Sequence, residues 1–206
     1  MITFLKECHC EEHSDEAIPK DKIASPLARN DRKKILLHIC CAVCAGSAIE
    51  QLRNEGWTVE GFFYNPNIHP EEEYMKRLEN MRLLLVKLDV LLIEGKYDKE
   101  NWFKQIEGLE KEQEGGKRCQ MCFQIRLKET FQEAKRRNIK YFTTTLTISP
   151  HKNSQIINSI GQTIDKDYFI VKDFKKKDGF KRAIQLSKEY NLYHQHYCGC
   201  IFSMHR

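Results

Sequence analysis

Seven of the nine cysteines in this 206-residue chain fall into three tight groups: Cys40-Cys41-x-x-Cys44, Cys119-x-x-Cys122 and Cys198-x-Cys200. One zinc ion or one iron–sulfur cluster takes four thiolates. If the fold brings the groups together, thiols are left over. A structural zinc site has no use for them, whereas a redox centre can employ them as a further metal ligand or as a working dithiol. The first group lies in His38-Ile39-Cys40-Cys41-Ala42-Val43-Cys44, directly after the apolar run Ile35–Ile39. Nucleotide-binding proteins that alternate strands and helices place a glycine-rich phosphate cradle at this point. Here Gly46 is the only nearby glycine and no Lys-Ser or Lys-Thr pair follows, which argues against a cradle and against ATP use. A helix amino end would instead depress thiol pKa values and favour the thiolates that metals bind. Burial as three structural cysteines is the alternative. Cys119 and Cys122 open a later helix, and their spacing lets both sulfurs face one metal. Zinc sites and isolated dithiols share that spacing. Cys198-Gly199-Cys200 would close a very short disulfide ring, and strained disulfides are labile or catalytic. Metal ligation and a plain structural role are the other readings of that pair.

The elements that position these thiols follow from the apolar pattern. Ile35–Ile39, Trp57–Tyr64, Val90–Ile93, Tyr141–Leu146 and Tyr168–Val171 read as strands. Ala45–Glu55, Glu71–Leu88, Asp98–Gln113, Cys119–Asn138, Asn153–Asp165 and Gly179–Tyr190 read as helices. This alternation predicts an α/β fold: a Rossmann-like doubly wound parallel sheet of about five strands with right-handed crossovers. Such sheets work beyond the carboxyl ends of their strands, near the point where strand order reverses. Cys40, Cys41 and the Thr-rich turn ending at Leu146 are therefore expected at that mouth.

Residues 1–34 are polar, carry no helical or alternating period and are broken by Pro19 and Pro26, so they read as an irregular, loosely packed N-terminal leader. The run Cys8-His9-Cys10-Glu11-Glu12-His13 resembles peptides translated from dispersed bacterial repeats, and its metal-binding residue types read as incidental. Residues 35–206 read as one α/β metal-binding domain. No apolar run approaches the ~20 residues of a membrane helix, and no secretory leader is recognisable, so a cytoplasmic, reducing compartment without membrane contact is expected. Paired cysteines there mean metal or redox chemistry more often than structural disulfides. Residues 1–30 hold four Lys/Arg and six Asp/Glu, which leaves 30 basic and 23 acidic residues, or +7, in the rest. That excess permits an anionic partner. Lys175, Lys176 and Lys177, near Tyr190, Tyr193 and Tyr197, have the makeup of a surface for unpaired RNA bases, with Lys135-Arg136-Arg137 and Lys152 next in line. A solvated charged face is the alternative.

Six motifs in one order carry a resemblance over about Lys33 to the end. They are His38-x-Cys40-Cys41-Ala42-x-Cys44, Phe62-Phe63-Tyr64-Asn65-Pro66-Asn67-Ile68-His69-Pro70, Gly116-x-Arg118-Cys119-x-x-Cys122, Thr144-Thr145-Leu146-x-Ile148-Ser149-Pro150-x-Lys152-Asn153, Asp173-Phe174-Lys175-Lys176 and Tyr197-Cys198-Gly199-Cys200. The chain resembles the QueH-type epoxyqueuosine reductases. The resemblance implies reduction of epoxyqueuosine to queuosine in the tRNA anticodon loop, the last step of queuosine biosynthesis, without cobalamin. It implies a [4Fe–4S] cluster on Cys40, Cys41, Cys119 and Cys122, with an additional mononuclear iron nearby. Cys44 stands where the family also uses Asp; both are anionic donors, so Cys44 is the candidate ligand of the second metal. Cys198 and Cys200 match the family's proposed redox-active pair. Val43 stands where proline is usual. The partners implied are tRNA carrying epoxyqueuosine and an electron donor that the motifs leave unidentified. His69, Tyr197 and a metal-bound water are the candidate proton donors. A zinc-bound, ATP-independent tRNA-binding module is the competing reading of the same thiols and basic surface.

Overall fold

Ile35, Leu36, Leu37 and Ile39 are fully buried, and so is His38 between them, as expected of a strand covered on both faces. A computed structural model describes residues 33–204 and places this strand, β1 (Lys34–His38), inside a four-stranded parallel sheet. β2 (Thr58–Phe63) pairs with one edge of β1, β3 (Leu92–Glu94) with β2, and β4 (Tyr141–Thr144) with the other edge of β1, giving the order β3-β2-β1-β4. The chain thus winds outward from β1 to β3 and then returns to the far side of β1. The reversal puts the switch point between the ends of β1 and β4, where the site was expected. The leader expected over residues 1–34, with Cys8, His9, Cys10 and His13, lies outside the described residues but for its last two positions.

Alternation along β1 sorts the core into two layers. Ile35, Leu37 and Ile39 pack with α1 (Ala42–Asn54), α2 (Glu71–Lys87) and α6 (Gly179–Glu189). Leu36 packs with Trp102 of α3 (Lys99–Gln105), with α4 (Lys117–Arg136) and with Ile157 of α5 (Ser154–Ile164). Cys41 and Cys44 belong to the first layer, Cys122 and Cys200 to the second, and Cys40 touches both. The three cysteine groups therefore meet at the strand ends from opposite sides of the sheet. Among the described residues, no helix is long and apolar enough to cross a membrane.

Four expected elements differ. The strand expected over Tyr141–Leu146 stops at Thr144, and Thr145–Ile148 form a short 3-10 turn. Tyr168–Val171 is not a fifth strand: Phe169 alone bridges to Phe142, and the chain then leaves the sheet. Asp165 accepts from the N–H groups of Asp167 and Tyr168 in a tight turn before the bridge, and the Asn158 amide grips both backbone groups of Lys172 after it. Phe169 is buried in the core and Ile170 packs partly against it, while Tyr168 and Val171 stay exposed. The helix expected over Asp98–Gln113 ends at Gln105. Gly108 adopts φ +80°, and the buried Arg118 guanidinium gathers the carbonyls of Leu109, Glu110 and Glu112, which holds the segment as successive turns. The helix expected from Ala45 begins at Ala42, because Cys41 is extended (φ −165°) and acts as its N-cap; Cys44 thus lies inside the first helical turn.

Candidate metal and redox site

At the end of β1 the chain turns outward into α1, and the turn is tied to the end of β4. The Cys40 N–H donates to Thr145 Oγ1 at 3.1 Å, and the Thr145 hydroxyl lies 3.4 Å from Cys40 Sγ. Cys41, as N-cap, offers no side-chain hydrogen bond to the free N–H groups of α1, so its sulfur stays turned to its neighbours. The three sulfurs of Cys40, Cys41 and Cys44 lie within 4.8 Å of one another. Hydrogen bonds from the Cys41 and Cys44 thiols hold Cys40 well below the usual thiol pKa, with Lys152 and Arg126 adding to the effect against burial. Their hydrogen bonds to Cys40 push Cys41 up to about 12 and Cys44 well above its usual value. The trio behaves as one thiolate solvated by two S–H donors. A metal would replace those two protons. An all-sulfur donor set of this kind suits zinc, copper(I) or iron–sulfur chemistry.

Cys119 and Cys122 enter from the first turns of α4, after Gly116 caps it. Burial raises both thiols. The Gly115 N–H, 3.2 Å from Cys119 Sγ, works against this for Cys119; for Cys122 the opposing groups are Arg126 and then Trp102. A narrow cavity of about 60 Å³ is lined by Cys119, Cys122, Cys198 and Cys200. A broad cleft of about 600 Å³ is lined by Cys40, Cys44, Cys198 and Tyr197. Glu114, Arg126, His151, Lys152 and Cys198 border both, so the two adjoin and together are lined by all three cysteine groups.

Cys198 and Cys200 are delivered by a C-terminal segment clamped onto α2. Buried Arg77, held by Glu73 at 2.7 Å, donates to the carbonyls of Tyr197 and Cys198 at 3.0 and 3.1 Å. The His69 N–H donates to the Gly199 carbonyl at 2.8 Å, and the Tyr197 hydroxyl to the His69 carbonyl. Gly199 has φ +107°, and a Cβ there would sit 2.8 Å from Ile68 and 3.0 Å from Arg77, so only glycine fits this turn. All seven described cysteines are free thiols. A hydrogen bond from Cys200, then one from Ser203, brings Cys198 down to about 5, while Cys200 is raised by the same bond and by burial.

Other expected residues are placed differently. The Lys175 ammonium is spent on the Ser149 and Lys152 carbonyls, and Lys176 and Lys177 are exposed. None of the three lines the cleft; Lys152 does. Arg136 and Arg137 pair with Glu129 and Glu133 along α4 itself. The His69 ring packs on Trp102 and Phe103, borders neither cavity, and is held near pKa 4 by burial and then by Lys99, which removes it as a proton donor to the cleft. Tyr197 does face the cleft. Sequence reading missed Arg77, Gln195, whose amide donates to Cys41 Sγ at 3.0 Å, and the buried trio His38, Asn65 and Arg126. Arg126 had one legible signal: with Cys119 and Cys122 it forms an i, i+3, i+7 stripe on one face of α4.

A sequence model of the family described as "Epoxyqueuosine reductase QueH" matches residues 35–206. Several curated proteins bearing that name are similar over most of their length. The chain is 35% identical over 213 residues to the one from Streptococcus pyogenes serotype M1, covering 97% of this chain and 83% of the relative. It is 37% identical over 194 residues to that of Staphylococcus epidermidis, covering 88% and 81%. It is 38% identical over 176 residues to that of Thermotoga maritima, covering 82% and 90%. With the matched residues spanning the whole sheet and all three cysteine groups, the chain belongs to the epoxyqueuosine reductase QueH family.

Proposed function

We propose that this protein reduces the epoxide of epoxyqueuosine in tRNA to the alkene of queuosine: two electrons and two protons enter, both carbon–oxygen bonds break, and the oxygen leaves as water. Family membership supports the reaction. The observation that carries the site is the meeting of three cysteine groups around one cleft at the switch point. In this reading Cys40, Cys41, Cys119 and Cys122 hold a [4Fe–4S] cluster and Cys44 helps to hold a second iron. When bound, such a centre supplies single electrons and a Lewis acid. The chain's own groups do the rest. Arg126 and Lys152 line the cleft with positive charge, which favours oxygen as it gains negative charge. Cys198 and Cys200 can together give up two electrons on forming a disulfide; with Cys198 ionised, Cys200 supplies one proton and solvent in the cleft the second, which meets the demand of the reaction. The test is the purified, cluster-loaded protein acting on tRNA that contains epoxyqueuosine, with nucleosides analysed by mass. Loss of one oxygen from the modified nucleoside, with no ATP added, is expected. A colourless protein with stoichiometric zinc and no turnover would leave the zinc-bound tRNA-binding module as the better reading.

The tRNA surface centres, in this reading, on Lys152 and the Ser149–Asn153 rim rather than on Lys175. Lys152 borders both cavities, whereas the Lys175 ammonium is occupied by backbone. Lys152→Ala is therefore expected to weaken tRNA binding and to reduce the salt slope by about 0.7, the single-strand value for one phosphate contact. Lys175→Ala should change the slope little. Binding titrations at several salt concentrations measure both, and an unchanged slope in Lys152→Ala would move the RNA surface elsewhere.

A further inference from the structure

Arg126 is 3% exposed, and neutral acceptors hold its guanidinium: Nη2 donates to Asn65 Oδ1 at 2.6 Å and Nε to His38 Nε2 at 3.3 Å. Among the described residues, carboxylates pair with Arg77, Arg82, Arg136, Arg137 and Arg182, and Glu114 lines both cavities together with Arg126. Both acceptors are locked. The Asn65 amide nitrogen donates to the Ile39 carbonyl at 2.9 Å, which turns its oxygen to Arg126. His38 is fully buried and its Nε2 faces the Arg126 guanidinium, a place for a neutral ring and not for a second cation. A guanidinium N–H can only donate, which assigns Nε2 as the acceptor and leaves the proton on Nδ1, facing Thr144 Oγ1 at 2.8 Å. The same Nε2 lies 3.2 Å from the Tyr64 carbonyl, which then receives no proton from it.

A buried cation is expensive, and proteins seldom retain one unless its surroundings compensate it. The thiols are among its neighbours: Arg126 lines the narrow cavity with Cys119 and Cys122 and the broad cleft with Cys40 and Cys44, which come from different cysteine groups. We propose that Arg126 is the fixed counter-charge of the metal–thiolate centre and sets its reduction potential. This rests on the iron–sulfur reading given above. The centre gains one negative charge on reduction, and charge and hydrogen bonding around the sulfurs are what set such potentials. A permanently charged arginine, held in place by Asn65 and by the His38–Thr144 pair, stabilises the reduced state more than the oxidised one. Arg126 is thus a positioning residue for charge and need not touch the substrate.

The experiment is a redox titration, followed by visible absorbance and electron paramagnetic resonance, of cluster-loaded wild type, Arg126→Met and Arg126→Lys. Arg126→Met should disfavour reduction at least tenfold, a fall of about 59 mV for a one-electron couple. Arg126→Lys, which keeps the charge, should recover most of the difference. An unchanged potential in iron-replete Arg126→Met overturns the proposal, and so does a Lys variant that falls as far as the Met variant. If Arg126→Met cannot retain iron, retention by Arg126→Lys supports the counter-charge role, and loss in both variants assigns the residue to packing and overturns it. A wild-type protein without an iron–sulfur spectrum defeats the reading beneath the proposal, an outcome distinct from all of these.

Discussion

Purified without air, Cys119→Ala and Cys122→Ala proteins are expected to be colourless, against a brown wild type with about four cluster irons, the content of a cysteine-ligated [4Fe–4S] centre. The two sulfurs sit on one face of the first turns of α4, and Cys122 is buried beside Arg126 and Trp102. No other cysteine of that helix can replace them. The same cavity does contain Cys198 and Cys200, but the turn at Gly199 is pinned by Arg77 and the His69 N–H and is not free to swing a sulfur across. Turnover should fall with the chromophore to background. Cys44→Ala provides the internal contrast: it should keep the visible spectrum and lose iron beyond the cluster. Iron analysis and absorbance read both outcomes, and a full chromophore in Cys119→Ala would remove α4 from the ligand set.

The parts of this site that were legible in the chain are those that depend on local pattern. The apolar run Ile35–Ile39 could only be a covered strand, and a thiol-rich turn after it had to open at the carboxyl edge of a parallel sheet. The cysteine spacings carried their own chemistry. Tyr168–Val171 misled because its composition is that of a strand while its neighbours, Asp165 before it and the Asn158 clasp on Lys172 after it, allow only one residue to pair. Lys175 misled for a related reason: a basic run says nothing about which ammonium is consumed by nearby carbonyls. Arg126, His38 and Asn65 come from three separated segments and are tied by hydrogen bonds, not by apolar burial, so no periodicity announces them. The stripe of Cys119, Cys122 and Arg126 on α4 hints at one member only.

Replacing Cys198 or Cys200 by Ser should lower turnover about 100-fold or more, within the range lost when a positioned proton donor is removed, while iron content and visible spectrum persist. The two sulfurs have unequal tasks. Cys198 is the charged partner, brought to about pKa 5 by the Cys200 thiol and then by the Ser203 hydroxyl at 3.1 Å, and it faces both the narrow cavity and the cleft. Cys200 is the partner that holds the proton, and it is buried. The sign of the shift fixes the pH behaviour. A lowered thiol pKa means thiolate above it, so alkylation of Cys198 should stay fast from neutral pH down to about 6 and fade only as pH drops through about 5. An ordinary cysteine, with pKa about 8.5, would already be slow at neutral pH. Cys200→Ser keeps a hydroxyl to donate to Cys198 but cannot form a disulfide, so it should preserve much of this acid-stable reactivity and still lose turnover. Cys200→Ala should lose both. Peptide mass analysis after brief alkylation at a series of pH values gives the reactivity, and trapping after a single turnover gives the disulfide. If Cys198→Ser sheds iron, Cys198 is a ligand and not half of a dithiol; if both serine variants turn over at the wild-type rate, the two reducing equivalents come from the metal centre alone.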